Sequence, residues 1–557
     1  MRQAIGRQPL RSFNRQRVST QRAIPAPVGG WDAQSPLADM PAENAVILDN
    51  FIPRAGYIEC RRGYRRWQEL PVVTETIMAY RGSNAKLFAA AGNAIYDVTV
   101  DGGSEAIVYN TALNARWQWI NFANDAGPFI IAANGAQAPI YYNGTIWQDS
   151  VITGTSGSIT LNPETLVDVM EHKGRAFFVQ QDSLRVWYLA PNAIQGTANL
   201  LDLGPIFDKG GTILCQATWT VDGGAGADDL AVWVTTEGQV AVYQGVDPSD
   251  ANDWALVGVY DVGYPLSRRS LTKYGSDLVI LTSDGVIPLT QALNLDRAQE
   301  NLIALTQRIQ NAFQLATQKY RTNFGWEGVL YPKWSLAIFN VPLTELGTSH
   351  QYVQNIQTGA WCRFTGVNAY TWTVWEDSIY FGGTNGVYLW DTGYTDDDRD
   401  IVCDLKTAFN YFGSRGTLKK FQMLQPVLRI SQGVEPAIEM LTDFKERIPE
   451  ATPTIVRISG SIWDGGLWDQ AFWGSEGETV DSWTTVTGIG YCGSVRIRVR
   501  IEARGIALAT GEDEDVVTSN GTDYVAVLMV ARHKIPKEVI AFIEKYENKT
   551  GCQVCSV

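Results

Sequence analysis

Four carboxylates stand in the stretch T-D-D-D-R-D at 395–400: Asp396, Asp397, Asp398 and Asp400. Oxygen donors at that density suit a hard cation such as Ca2+, and two carboxylates facing one pocket are the minimum equipment of a glycoside hydrolase. The spacing completes no EF-hand loop, however, and the competing reading is a solvated acidic loop. Histidine offers less. His172, His350 and His533 are the only three in the chain and lie far apart, so none forms a metal-ligand pair at short spacing. His172, in E-H-K-G beside an apolar strand pattern, reads as a structural residue. The H-E-x-x-H, G-x-S-x-G and G-x-x-x-x-G-K-[ST] patterns do not occur, which removes the usual signatures of zinc proteases, serine hydrolases and P-loop enzymes. The expectation is a protein with no catalytic residue, no metal and no cofactor.

Seven cysteines, Cys60, Cys215, Cys362, Cys403, Cys492, Cys552 and Cys555, are scattered and odd in number. That is unlike a secreted disulfide framework and leads to an expectation of reduced thiols in a cytoplasmic assembly. Cys552 and Cys555 form C-x-x-C, but no second pair completes a zinc site, and they read as free thiols on a tail. The formal charge of −14 disfavours general binding to phosphate backbones, which rests on Lys and Arg. No apolar run approaches the ~20 residues that span a bilayer, so a soluble chain is expected.

Tryptophan carries a different signal. Trp463, Trp468 and Trp473 recur at intervals of five in I-W-D-G-G-L-W-D-Q-A-F-W-G, a period that belongs to neither helix nor strand. With Gly465, Gly466 and Gly474 interrupting it, the run is expected to be a looped connection. Its rings would anchor packing within the subunit or a contact between subunits.

The elements that must position these residues are mostly β. Charged residues are only 19% of the chain, beside Gly 52, Trp 19, Tyr 23 and Phe 19, a mixture suited to short strands and tight turns. A two-strand motif recurs: K-L-F-A-A-A-G-N-A-I-Y-D-V at 86, P-F-I-I-A-A-N-G at 128, R-A-F-F-V-Q-Q at 175, D-L-A-V-W-V-T at 229, D-L-V-I-L-T-S-D-G at 277 and S-I-Y-F-G-G-T-N-G at 378. S-L-A-I-F-N-V at 335 with Q-Y-V-Q-N-I-Q at 351 supplies a further copy. Repeats of roughly 40–50 residues are what propeller blades require, and the motif predicts an all-β chain with a β-propeller of about six to eight blades over 46–400.

A helical insertion is expected at 291–323, with Leu302, Leu305, Ile309, Phe313 and Ala316 on one face. It either packs across the propeller's side or serves a subunit contact. Residues 401–531 read as a β-sandwich platform domain, in which V-R-I-R-V-R-I-E exposes Arg496, Arg498 and Arg500 on one face. Residues 532–557 read as a terminal helix and tail. At the other end Arg2, Arg7, Arg11, Arg15, Arg17 and Arg22 all precede the first acid, Asp32. Pro9, Pro25 and Pro27 interrupt any long helix, so 1–45 is expected to be an extended arm that orders on an acidic neighbour.

Three stretches together carry a resemblance: P-A-P-V-G-G-W-D-A-Q-S-P-L-A-D-M-P-A-E-N-A-V-I-L-D-N-F-I-P-R-A-G-Y-I-E-C-R-R-G-Y-R-R-W at 25–67, D-P-S-D-A-N-D-W-A-L-V-G-V-Y-D-V-G-Y-P-L-S-R-R-S-L at 247–271, and the tandem I-W-D/L-W-D/F-W-G. The chain resembles the tail hub or nozzle proteins of short-tailed phages over most of 25–530. The resemblance implies a virion tail protein assembled in the host cytoplasm as a ring of six copies. That ring would sit beneath the portal and its adaptor, beside tail fibres or spikes, and conduct double-stranded DNA without binding it. Acidic loops lining the channel would repel the polyanion, with Asp396, Asp397 and Asp398 the candidates. The alternative is a carbohydrate-binding or carbohydrate-cleaving propeller that acts as a receptor-binding tail protein.

Overall fold

Each repeat of the sequence folds as the hairpin of second and third strands in an antiparallel sheet. The computed structural model describes residues 21–103, 106–222, 227–292, 303–430, 436–449, 478–480 and 483–501. Around Lys86–Ala91 and Ala94–Asp97 the strands Thr74–Tyr80 and Ala106–Tyr109 complete the first blade. The second runs Gln118–Asn124, Gly127–Ala133, Ile140–Tyr142 and Trp147–Asp149. Leu166–His172, Arg175–Gln180, Arg185–Tyr188 and Asn199–Asp202 form the third, and Ile213–Asp222, Ala227–Thr235, Gln239–Gln244 and Ala255–Asp261 the fourth. The fifth has three strands, Leu271–Tyr274, Asp277–Thr282 and Gly285–Pro288.

The sixth blade joins Thr371–Trp375, Ser378–Gly383 and Gly386–Trp390 to Tyr64–Glu69, a strand that precedes the first blade. The chain thereby closes its own ring, and the first strand of blade six packs on the first strand of blade one. The seam is tight: Gly386 has φ 133°, and a Cβ there would stand 2.1 Å from the Gln68 carbonyl oxygen, so only glycine fits. The chain is a six-bladed β-propeller.

Between blades five and six a meander, Glu327–Tyr331, Leu336–Pro342, Ser349–Asn355 and Trp361–Phe364, sits with its first strand against the first strands of both neighbours. It is also the start of a larger sheet. Beyond Trp361–Phe364 come Asn44–Asp49, Ile401–Thr407, Gly493–Ile501 and Ala437–Thr442 in order, with Gly30–Trp31 beside Asn44–Asp49. This nine-stranded sheet crosses residue 400, so propeller and platform share backbone hydrogen bonds there.

Apolar side chains fill the seams between blades, which is where the repeat needs them because each blade buries its faces only against its neighbours. Met78, Phe88, Trp117, Ile130 and Trp147 pack between blades one and two. The largest fully buried side chains include Trp117, Trp187, Trp233, Trp326 and Trp361. Each such burial contributes roughly 1.5–3 kcal/mol. In the platform, Met440, Val486 and Val495 pack with Phe421 between the large sheet and the strand pair Lys419–Leu424 and Thr484–Gly490, and Ile24 joins them.

The insertion is a 3-10 turn Leu305–Ile309 followed by the helix Gln310–Tyr320. Ile309, Phe313 and Ala316 are buried in the main core and Leu305 packs on it, so the described part lies across the propeller. Leu302 lies outside the described residues. Arg496, Arg498 and Arg500 do share a face, but the expectation that they are exposed is corrected for Arg496, which is buried, while Arg498 and Arg500 are half-exposed and paired. Arg496 forks onto Asp404 at 2.9 and 2.7 Å, Arg498 lies 3.4 Å from the same carboxylate, and Arg500 pairs with Asp400 at 2.5 Å. On the neighbouring strand Asp404 stands directly opposite Arg498 and reaches Arg496 on the diagonal, as cross-strand pairing favours.

Candidate functional site

Asp396 is a buried structural anchor, which corrects its candidacy as a channel-lining residue. Its two oxygens accept from Arg61 at 2.8 and 2.6 Å, and both side chains are almost fully buried. Burial pushes the Asp396 carboxyl upward, and Arg61 draws it back down. Asp397 lies 3.3 Å from Arg66. Asp398 is exposed and is the one of the three whose side chain faces solvent.

A charged group with five hydrogen bonds stands where the blades converge. Arg269, in the lead-in to blade five, donates to the Glu75 carbonyl at 3.1 Å and Thr76 Oγ1 at 2.7 Å on blade one. It reaches the Trp117 carbonyl at 3.0 Å and Gln118 Oε1 at 3.4 Å at the start of blade two, and Glu327 Oε2 at 3.2 Å in the meander. Inner strands of blades one and two and of the meander thus meet on one side chain, and Arg269 bridges them near the ring axis. Next to it, Arg268 donates to the Leu214 carbonyl of blade four at 3.1 Å.

Phe324 covers the Arg269 bridge. The Arg116 guanidinium lies 4.3 Å from its ring centroid and that of Arg269 5.4 Å, while Arg116 pairs with Glu75 at 2.6 Å and Glu345 at 2.8 Å. Asp168 of blade three accepts the Gln216 backbone N–H at 3.2 Å and its neighbour's, Val169, at 2.9 Å. Burial pushes its carboxyl up to about 7, against the pull of Arg268 and those two N–H groups. Glu327 is pushed up by burial and drawn back by Arg269. Retaining or inverting sugar cleavage needs two carboxylates free to face a substrate. Here Glu75, Glu327 and Glu345 are engaged with arginines and Asp168 with backbone N–H groups, so the arrangement holds blades together.

The axial bridge was missed in the sequence. A usable signal existed: Glu75, Gln118, Asp168 and Gln216 stand near the start of a blade's first strand and Glu327 starts the meander's, a polar position in otherwise apolar segments. The recurring motif covers the second and third strands, where this ring of polar residues does not show.

His172 is structural, as its surroundings show. It is fully buried, its Nε2 lies 3.1 Å from the Gly245 carbonyl, and its ring meets Phe177 and Trp254 edge-on. With a carbonyl partner Nε2 carries the proton and donates. Burial lowers its pKa, the Gly245 bond opposing. A base depressed on folding contributes stability that is full above its unfolded pKa of about 6.5 and is lost as pH falls below it. Urea unfolding of the wild type and of His172→Phe at pH 7.5 and 5.5 is expected to show the wild type losing on the order of 1 kcal/mol more than the variant on acidification. Asp168 tilts both proteins in the opposite sense, since a carboxyl raised on folding loses stability as pH rises, and it cancels in the difference. Equal acid losses in the two proteins would remove the assignment.

Arg22 is exposed. Arg2, Arg7, Arg11, Arg15 and Arg17 lie outside the described residues, as do Trp463, Trp468 and Trp473, His533, the Cys552/Cys555 tail and 532–557. Among the described residues no cluster of His, Cys, Asp and Glu is placed to hold a metal ion, and no helix is long and apolar enough to cross a membrane.

No family model and no curated protein matches this chain. Among solved structures, BBS1N in complex with ARL6DN is 15% identical, with a TM-score of 0.27, over 41% of this chain and 64% of its own. The Cps50 (Swd1) β-propeller domain of Myceliophteria thermophila is 12% identical, with a TM-score of 0.36, over 59% of this chain and 98% of its own. The propeller itself is read from the sheet order and ring closure given above.

Proposed function

We propose that this chain is a non-enzymatic structural protein that builds a ring from copies of itself, in the manner of the phage tail hub and nozzle proteins its sequence resembles. The observation that carries the reading is mechanical. One sheet runs from the propeller into the platform, and Arg269 ties inner strands of blades one and two to the meander, so each copy is a stiff wall element. A passage for DNA then lies between copies, with six as the number the resemblance implies. Exposed Leu418, Met423, Trp483, Ile489 and Tyr491 on the platform's strand pair suit burial in a subunit or adaptor contact. The net charge of −14 suits a lumen along which a polyanion slides, and Asp398 remains the lumen-facing candidate.

Density-gradient fractionation of the native source, with quantitative peptide mass spectrometry on the DNA-filled particles, tests this. The chain is expected in those fractions at the copy number of the other tail-ring components. Recovery only in particle-free fractions would overturn the proposal.

A further inference from the structure

Two of the cysteines meet at the seam between propeller and platform. Cys60 ends the strand Ile58–Cys60, opposite Phe51, and Cys403 lies in Ile401–Thr407. The Asn50 carbonyl ties them together: it accepts the Arg61 backbone N–H at 2.9 Å and the Cys403 thiol at 3.3 Å. The Cys403 sulfur is thereby held against the backbone that carries Cys60, and the Cys60 side chain is among the neighbours that raise the Cys403 thiol. Both are free, Cys403 fully buried and Cys60 partly open to solvent. The Arg61 side chain beside them spends its donors on oxygen, so neither thiol is used by that anchor.

We propose that Cys60 and Cys403 form a peroxide-sensitive dithiol that closes to a disulfide, stapling the hairpin at the start of the propeller to the strand that leaves it. Peroxide reacts at Cys60, the thiol that solvent reaches. The O–O bond breaks, one oxygen passes to sulfur, and Cys60 becomes a sulfenic acid with release of water. The Cys403 sulfur then attacks that of Cys60. The S–O bond breaks, the Cys403 proton leaves with the hydroxyl as a second water, and the S–S bond forms. The two thiols give up two electrons, and peroxide takes them. Burial holds the Cys403 thiol well above the ordinary range for cysteine, which makes it a poor first target and leaves it the resolving role. The staple encloses the whole propeller in one covalent loop, and long loops gain most from closure. This chemistry holds whatever the chain assembles into.

The test is peptide mapping of the full-length protein under non-reducing conditions after treatment with hydrogen peroxide. The peptides that carry Cys60 and Cys403 are expected joined and lighter by two hydrogens. Thermal unfolding should shift up by several degrees, and dithiothreitol should reverse the shift. In Cys403→Ser the Cys60 sulfenic acid is expected to persist and be captured by dimedone, and in Cys60→Ser the thermal shift should vanish. Oxidation of wild-type Cys60 to sulfinic acid with Cys403 still alkylatable after unfolding would overturn the proposal, as would Cys403 joined to any other cysteine or both thiols surviving peroxide. The wild-type map decides the matter even if a variant fails to fold.

Discussion

Arg61→Met is expected to destabilise the protein by about 3–5 kcal/mol at neutral pH, the range for removing one partner of a buried ion pair. Every N–H of this guanidinium is used. Nε donates to Asn50 Oδ1 at 2.8 Å, Nη1 to Asp396 at 2.8 Å and the Arg62 carbonyl at 3.0 Å, and Nη2 to Asp396 at 2.6 Å and the Thr365 carbonyl at 2.9 Å. Those partners come from the linker after Asn44–Asp49, the segment after the meander and the loop after blade six, so one side chain ties the ring to the shared sheet. Its removal strands a buried carboxylate. That carboxyl then rises further and takes up a proton on folding, so the loss should shrink as pH is lowered from 7.5 to 5, because a raised carboxyl loses stability as pH rises. Asp396→Leu placed on top of Arg61→Met should recover part of the loss by leaving no buried charge. Urea midpoints of the single and double variants decide it, and a single variant within 0.5 kcal/mol of wild type would show that the pair is not an anchor.

What the sequence revealed and what it hid divide along a physical line. The six hairpin motifs at 86, 128, 175, 229, 277 and 378 are local: alternating apolar residues and an intervening turn make each hairpin, and all six appear as the second and third strands of blades. The further copy at 335 and 351 is equally local, and it became the middle of the meander. Its membership in a second sheet depends on Asp49 pairing with Arg363, a contact between distant residues that no short window contains. The same distinction explains the acids at 396–400. Residue type placed them on a polar loop, and two of them, Asp398 and Asp400, do keep solvent contact. Asp396 is buried because Arg61, far away in the chain, neutralises it. The arginines of V-R-I-R-V-R-I show the pattern again: alternation gave their common face, while Asp404 on a neighbouring strand and Asp400 just before it decided that the face is paired.

Arg269→Lys is expected to lose most of what Arg269→Met loses, and the comparison measures how far the axial bridge depends on a fork rather than a charge. The guanidinium makes five hydrogen bonds to blades one and two and to the meander, and the side chain is only 13% exposed. An ammonium has three donors on one atom and cannot span the strands of two blades and the meander. It can still neutralise Glu327, which is 12% exposed and lies 3.2 Å away. Arg269→Met should therefore cost about 3–5 kcal/mol, since it strands that carboxylate and removes the hydrogen bonds to the Glu75 and Trp117 carbonyls. Arg269→Lys removes the second penalty's remedy but keeps the first, for a loss of about 2–3 kcal/mol. Glu327→Gln added to Arg269→Met should recover the charge part alone. These values come from urea unfolding followed by tryptophan fluorescence. If lysine proves as good as arginine, charge alone holds the axis. A loss confined to Met and Lys that Glu327→Gln leaves unrelieved would instead place the whole effect in the hydrogen bonds between blades, so that the ring is held at its centre by geometry.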